Sequence, residues 1–251
     1  MQIALVALVA ASLAAPSTAA HLARRFAARP LALRAARTRV RLAEKDPAYE
    51  NPLLALVGRL LPAGSGGSGR DKGEALSPAL AAIDWDASKA PERDLRKNAA
   101  RLEAALARAE WFVTGKIEPR FFSDAFVFKD PDVTLTGVQA YASGVSRLFD
   151  QRSARAEIAR VRVRDADSAI EVAWRLSGGV TIGPLELDLK PYLVLTDLVV
   201  DQSGLVVYQE DTFSIPGWDI LLSALFPALR PLLAPEAPPI AELRARLAAE
   251  P

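Results

Sequence analysis

Four segments in the second half of the chain have the residue pattern of β-strands. The clearest is 168–176, where every second residue from Ile170 to Leu176 is apolar, so that these side chains would share one face of a sheet. Upstream, residues 91–113 repeat Leu and Ala at helical intervals, the spacing of an amphipathic helix. A chain that places helices first and a run of strands afterwards is expected to fold as an α+β domain.

The predicted strands are joined by tight connections. The sequence DQSG at 201–204 is a hairpin loop. The sequence SGGVTIG at 177–183 contains glycines but opens no helix, so it predicts another hairpin rather than a phosphate-binding loop. Residues 192–200 are apolar on nearly both faces, which indicates a strand covered on both sides. The four predicted strands are residues 157–164, 168–176, 192–200 and 205–213.

Helices are predicted on both sides of a short strand. Phe126 and Phe128 alternate around Val127, and Asp130-Pro131 follows as a turn. The apolar run at 218–229 contains Pro227 and is too short for a membrane-spanning helix. The predicted helices are residues 91–113, 116–122, 138–150, 218–229 and 240–249.

The N-terminal region has the composition of a targeting segment. Residues 3–15 are an apolar run followed by small residues, as in a secretory signal, and residues 21–42 are rich in Arg and Ala without any acid. This order resembles the bipartite presequence of plastid precursors in algae, with a mitochondrial presequence as the alternative. We divide the chain into a presequence (1–43), a linker with a short apolar helix and a Gly/Ser-rich stretch (44–75), a folded domain (76–233) and a Pro/Ala-rich tail (234–251).

Composition excludes several kinds of chemistry once the presequence is removed. Seven of the 31 basic residues lie in 1–43, so the remainder carries 24 basic against 30 acidic residues, a charge of about −6. The chain has no Cys, and its single His, His21, lies in the presequence. Thiolate or histidine metal sites and Ser-His-Asp triads are therefore not expected. We expect no metal and no cofactor, and the acidic balance argues against a nucleic-acid partner.

Part of the sequence resembles a known family. The segment FFSDAFVFKDPDVTLTGVQAYASGVSRLF (121–149) and the order of elements over residues 80–230 resemble nuclear-transport-factor-2-like (SnoaL-like) proteins. The segment TFSIPGWDILLSALFPAL (212–229) resembles an uncharacterised plastid-targeted plant and algal family, domain of unknown function 2358. The resemblance implies a cone-shaped α+β fold, with N-terminal helices packed on a curved, mainly antiparallel β-sheet around an apolar cavity.

The resemblance does not decide function, because the superfamily contains both enzymes and non-catalytic modules. Its histidine-dependent dehydratase chemistry fails here for lack of His. Isomerase chemistry of the ketosteroid type needs an Asp base with Tyr and protonated carboxyl donors. Epoxide-hydrolase chemistry needs an Asp-Arg-Asp network, which Arg175 with Asp197 or Asp211 would imitate. The candidate catalytic residues are Asp130, Asp197, Arg175 and Tyr192.

Each candidate also has a purely structural interpretation. Asp130 before a proline suits a turn, and Arg175 lies on the opposite strand face from Trp174, where solvent is common. Asp197 is harder to dismiss, since it interrupts an apolar run. Arginines at 160, 162 and 164 share a strand face and would bind an anionic group or pair with nearby acids. The candidate ligand-binding residues are Tyr141, Trp174, Tyr192, Tyr208 and Trp218.

Three functions follow as hypotheses. The first is a non-catalytic organellar module that binds a small apolar ligand or assembles with a protein partner or a second copy of itself. The second is a small isomerase, hydrolase or cyclase that uses Asp, Tyr and Arg on an apolar metabolite. The third is docking to a partner or, peripherally, to a membrane surface through residues 216–229, an apolar helix with little polar surface.

Overall fold

The computed structural model describes residues 76–182 and 185–249. The predicted presequence (1–43) and linker (44–75) lie outside these residues and stay predictions. The described residues have the α+β fold that the sequence predicts, with helices packed on a curved, mainly antiparallel sheet. No helix among them is long and apolar enough to cross a membrane.

The helices of the described residues precede the long strands, as predicted, with two more at the C-terminal end. The α-helices are α1 (Pro78–Ala81), α2 (Leu95–Ala109), α3 (Trp111–Thr114), α4 (Val138–Leu148), α5 (Gly217–Leu225) and α6 (Ile240–Ala248). Short 3₁₀ turns occupy Pro119–Phe121, Asp165–Asp167 and Pro227–Leu232. The predicted helix at 116–122 is wrong, because that segment is a 3₁₀ turn leading into a strand.

Six strands form one sheet in the order β2-β1-β6-β5-β4-β3. Their bounds are β1 (Phe122–Lys129), β2 (Thr134–Thr136), β3 (Arg155–Arg164), β4 (Ala169–Ile182), β5 (Leu185–Val200) and β6 (Val206–Phe213). Neighbouring strands pair antiparallel except β1 and β6, which are parallel. This parallel pair brings the first and last strands of the domain side by side.

Helix α2 begins later and ends earlier than the predicted 91–113. The Oδ1 atom of Asp94 accepts the backbone N–H groups of Arg96 and Lys97 at 3.0 and 3.2 Å, which fixes the start at Leu95. At Glu110 the backbone turns left-handed, with φ of 45°, and the chain continues as α3. Of the predicted apolar stripe, Leu102 and Leu106 are buried in the core, whereas Leu95 at the start of the helix is partly buried.

The core lies between the helices and one face of the sheet, which we call the inner face. The predicted alternation in β4 is confirmed, since Ile170, Val172, Trp174 and Leu176 all point into this core. Aromatic rings fill the space beneath the helices. Phe112 of α3 stacks on Trp174 with ring centroids 4.9 Å apart, and Phe122 meets Phe126 edge to face at 5.1 Å.

The predicted hairpin at 177–183 is a continuation of β4. The strand runs through Gly178 and Gly179 to Ile182, and a bulge in β5 opposite Ser177 shifts the register. Gly178 has φ of +102°, and a Cβ atom there would lie 2.3 Å from the carbonyl oxygen of Ser153. The glycine therefore allows both a left-handed backbone and close approach of the preceding loop.

We expect Gly178→Ala to lower the free energy of unfolding by about 1–3 kcal/mol, because the left-handed strain and the clash with backbone act together. Urea denaturation of the two proteins measures this. Gly144→Ala is the matched control: Gly144 lies within α4, and a Cβ there meets only a leucine methyl at 3.5 Å. Equal stability of Gly178→Ala and the unsubstituted protein would contradict this account of the glycine.

The C-terminal segment crosses the face of the sheet opposite the core, which we call the outer face. Lys190 of β5 and Asp219 of α5 form an ion pair in which both side chains are 1% exposed. Lys190 also donates to the carbonyl oxygen of Ala234 at 2.7 Å, and Asp219 accepts the N–H of Ala234 at 2.9 Å. These contacts attach the residues predicted as a tail to the sheet.

Helix α6 then packs on β3, the strand at one edge of the sheet. Leu243 and Leu247 of α6 are buried there. Arg244 donates to the carbonyl oxygen of Ile158 through two nitrogens at 3.1 and 2.8 Å. Further along the same strand, the Glu110 carboxylate accepts the N–H of Ala156 at 2.9 Å. Side chains thus occupy backbone groups of the edge strand.

Candidate functional site

A group of polar side chains lies on the inner face, in the middle of the apolar core. Strands β4, β5 and β6, helix α4 and the turn after β1 supply it, and the turn residue is half-buried. We call it the interior cluster, and it consists of Asp130, Tyr141, Trp174, Tyr192, Thr196, Gln209 and Asp211. Polar groups in an apolar interior cost free energy unless they are hydrogen-bonded, so the partners of each one are informative.

Asp211 is the centre of the hydrogen bonds in the interior cluster. Its Oδ1 atom accepts the Thr196 hydroxyl at 2.7 Å and the Gln209 Nε2 group at 3.2 Å. Thr196 in turn accepts the Trp174 Nε1–H at 2.9 Å. Gln209 Nε2 also donates to the Tyr141 hydroxyl at 3.1 Å. A continuous hydrogen-bonded line therefore crosses the inner face from β4 to α4.

Strand pairing brings Asp130 beside Asp211. Lys129 of β1 is paired with Glu210 of β6 in parallel register, so the next residue of each chain segment is one of the two acids. Asp130 also forms the predicted turn, since its Oδ1 atom accepts the N–H groups of Asp132 and Val133 at 2.8 and 2.6 Å. Its turn role and its position beside Asp211 are compatible.

Burial raises the pKa values of both acids of the cluster toward neutral pH. Burial raises the pKa of Asp211 to about 7, although Thr196 and Gln209 donate to it, and the charge of Asp130 contributes to the increase. Burial likewise raises the pKa of Asp130 to about 6, against the two N–H groups of its turn. Both carboxyls can therefore exchange a proton near neutral pH.

The tyrosines of the interior cluster keep their protons. Burial raises the pKa of Tyr192 well above its usual value, and the charges of Asp130 and Asp211 add to this. Burial also raises the pKa of Tyr141. Both side chains are therefore hydroxyl donors at neutral pH. Tyr192 packs edge to face on Phe213, with ring centroids 5.7 Å apart.

The interior cluster contains unmatched polar atoms. The Oε1 atom of Gln209 is buried and has no hydrogen-bond partner among the described residues. No Lys or Arg of the described range forms an ion pair with Asp130 or Asp211. No group of three or more metal-binding side chains occurs in that range either. The arrangement holds spare acceptors and negative charge without a protein cation.

Two of the predicted catalytic residues lie on the outer face instead. Asp197 receives Arg164 at 2.8 Å, and Arg175 pairs with Glu157 at 2.7 Å. The structure therefore brings together Asp130 and Tyr192 but separates them from Asp197 and Arg175. The arginine face of β3 is also paired, because Glu171 meets Arg160, Arg162 and Arg164 at 3.5, 3.1 and 3.3 Å.

The predicted ligand-binding residues divide in the same way. Tyr141, Trp174 and Tyr192 belong to the interior cluster, whereas the half-buried Tyr208 lies on the outer side of β6. Trp218 is 36% exposed on α5, and exposed Phe226, Leu229 and Leu232 follow it. Docking through residues 216–229 stays a prediction.

Gln209 and Thr196 are missed by sequence analysis, and Asp211 is considered there only as a partner of Arg175. The register of β6 explains this: Val200 pairs with Val206 but Val199 pairs with Tyr208, so a bulge reverses the faces along the strand. Downstream of it, Gln209 and Asp211 point inward. The polar run QED at 209–211 in a strand is the only signal for these residues.

Comparison with known proteins gives likeness of fold only. No family model matches the chain, and no curated protein matches it. A protein described as a SnoaL-like polyketide cyclase from Jannaschia sp. CCS1 is 12% identical, with 54% of this chain and 96% of that one covered and a TM-score of 0.39. An LEH-like epoxide hydrolase from M. tuberculosis is 17% identical, with 54% of this chain and 96% of that one covered and a TM-score of 0.36.

A third structure, an NTF2-like protein of unknown function from Cytophaga hutchinsonii, is 11% identical over 49% of this chain and 91% of that one, with a TM-score of 0.34. The names given to these proteins describe them alone. At such identities no activity and no ligand passes to this chain.

Proposed function

We propose that the protein binds a small, largely apolar molecule at the interior cluster. The observation that supports this most is the Asp211 carboxyl, which is buried and hydrogen-bonded on one oxygen but faces no protein cation. A cluster that served packing alone would be more stable with apolar side chains. Unmatched polar atoms inside an aromatic shell are instead typical of sites that orient a ligand.

The binding function is tested on the purified full chain by native mass spectrometry and by extraction of any co-purified molecule. We expect a bound small molecule that is lost on Trp174→Ala, because this indole supports both Thr196 and the stack with Phe112. Trp218→Ala is the matched control, since Trp218 is exposed on α5. Retention of the molecule by Trp174→Ala and its loss from Trp218→Ala would place binding elsewhere.

A second function, proton transfer on such a ligand, is favoured by the two acids of unequal pKa. Burial raises the pKa of Asp130 to about 6 and that of Asp211 to about 7, so near neutral pH the pair holds about one proton and one negative charge. One carboxyl would then remove a proton from carbon and the other would supply one, with a tyrosine hydroxyl donating to the developing oxyanion. This combination corresponds to the isomerase or cyclase alternative.

We expect any such activity to be greatest between about pH 6 and 7, because the base loses its charge below the lower pKa and the acid loses its proton above the higher one. Hydrogen–deuterium exchange at carbons next to a carbonyl, followed by NMR over a panel of cyclic ketones, measures it. Exchange that does not change between pH 5 and 9, or that survives in the Asp130→Asn/Asp211→Asn double variant, would rule out this role of the pair.

We also propose that residues 1–43 direct import into a plastid, and that the chain belongs with the plastid-targeted family named above. The support for import is the apolar run followed by an Arg-rich, acid-free segment, and the support for the family is the segment at 212–229. A fluorescent fusion of residues 1–43 should accumulate in plastids of an alga with secondary plastids, and a fusion of 1–20 alone should stop in the secretory pathway. Accumulation in mitochondria would contradict the proposal.

A further inference from the structure

The interior cluster has more free acceptors than free donors. Both hydrogen bonds that Asp211 receives reach Oδ1, and both that Asp130 receives reach its own Oδ1. The second oxygen of each carboxyl therefore accepts nothing from the described residues. The Oε1 atom of Gln209 is a third unmatched acceptor, in a side chain that is 0% exposed. At pH 7.5, above the pKa of both carboxyls, these oxygens act as acceptors, and among the described side chains of the cluster only the tyrosine hydroxyls have hydrogens left to donate to them.

The Gln209 amide indicates what the missing partner offers. Its Nε2 group is used twice, toward Asp211 and toward Tyr141, and this fixes the amide with its oxygen directed elsewhere in the interior. A buried carbonyl oxygen without a donor costs about 1–3 kcal/mol. A ligand that brings N–H or O–H donors would recover this free energy.

The charge of the interior cluster indicates whether the ligand that supplies these donors is anionic, neutral or cationic. Cations close to these strands are engaged on the outer face: Arg164 with Asp197, Arg175 with Glu157 and Lys190 with Asp219. The inner face thus offers two carboxyls and no compensating cation among the described residues. An anionic ligand would be repelled, a neutral one would leave the charge unbalanced, and a cationic one would balance it.

The apolar lining suits the same ligand class. Phe128 and Tyr141 lie with ring centroids 4.7 Å apart, and Tyr192 and Phe213 at 5.7 Å. The charges of both acids act on the two tyrosines, so aromatic rings lie near the acids. Ring faces attract cations, and their area buries an apolar body. Acids, an unmatched amide oxygen and aromatic rings are together the groups that a protein uses to hold an ammonium group on an apolar skeleton.

We propose that the ligand of the interior cluster is an amphiphilic amine, whose ammonium group donates to Asp211, Asp130 and Gln209 and whose apolar body lies against the aromatic side chains. This inference rests on the proposed binding function and specifies its ligand.

The test compares ligands that differ only in the head group. Hexylamine, 2-phenylethylamine and 1-naphthylmethylamine are each titrated calorimetrically into the full chain at pH 7.5, beside the alcohol and the carboxylate of the same skeleton. We expect at least one amine to bind about tenfold or more tightly than its alcohol, and the carboxylates not to bind. Asp211→Asn, which keeps the volume and loses the charge, should weaken amine binding about tenfold.

Asp197→Asn is the matched control, because Asp197 is an acid on the same sheet that faces outward, and it should change the affinity less than about twofold. If Asp211→Asn folds poorly, Asp130→Asn takes its place and should likewise weaken amine binding. An alcohol that binds as tightly as its amine, a carboxylate that binds better, or a co-purified ligand without a basic nitrogen would overturn the amine while leaving the binding function intact. Absence of every probe and of any co-purified molecule would overturn both.

Discussion

Lys190→Met is expected to lower the free energy of unfolding by about 3–5 kcal/mol, the largest effect of any single substitution considered for this chain. The substitution leaves Asp219 charged and buried without its counter-ion, and it removes the donor to the Ala234 carbonyl. Both consequences fall on the segment that joins α5 to the outer face. Urea denaturation followed by circular dichroism measures the loss.

Two further variants separate charge from packing. Lys190→Met/Asp219→Asn removes both charges while the asparagine oxygen still accepts the N–H of Ala234, so it should recover much of the stability. Lys89→Met is the control: Lys89 pairs with Asp124, whose side chain is 92% exposed, and this surface pair is worth at most about 1 kcal/mol. A double variant no more stable than Lys190→Met would refute the uncompensated charge as the cause.

Asp211→Asn is expected to stabilise the protein by about 4 kcal/mol at pH 8 and to have little effect at pH 4. The direction follows from the pKa, which burial raises from 3.8 to about 7 on folding. The folded protein then holds the proton more tightly than the unfolded chain. Stability from this group is present below about pH 4 and is lost as the pH rises through 7, whereas asparagine has no proton to lose.

Urea denaturation from pH 4 to pH 9 gives both curves. The unsubstituted protein should lose stability between about pH 4 and 7, and the Asp211→Asn curve should be flatter, with Asp130 contributing to the slope that remains. Asp124→Asn, at an exposed position, should reproduce the curve of the unsubstituted protein. If the Asp211→Asn variant were less stable than the unsubstituted protein at pH 8, the Asp211 carboxylate would be stabilised by the fold, contrary to this prediction.

The face to which each side chain of β4 points could be predicted from the sequence, because successive residues of a regular strand point to opposite faces of the sheet. Trp174 inward and Arg175 outward follow from that rule alone. The rule fails in β6, where a bulge between Val206 and Tyr208 exchanges the two faces and turns Asp211 inward. A local pattern of alternation does not show where a bulge interrupts the pairing with the neighbouring strand.

Asp130 shows the second limit of sequence reasoning. Its turn could be predicted from the following proline, but its position beside Asp211 depends on a parallel pair in which Lys129 and Glu210 are 81 residues apart in sequence. Lys190 shows a third limit. A lysine in a strand is normally predicted to be exposed to solvent, but here α5 places Asp219 over it and the pair is buried. For both Asp130 and Lys190 the decisive partner is distant in sequence.

The blocked edge of β3 has a consequence for how this protein behaves at high concentration. An uncovered outermost strand is a template onto which another chain can add, and successive additions lead to fibrils. Here Glu110 and Arg244 hold the backbone of Ala156 and Ile158, and a bulge follows between Ile158 and Arg160. A chain that loses α6 would free the Ile158 carbonyl while Glu110 still holds Ala156, and we expect such a shortened chain to aggregate more readily than the full chain.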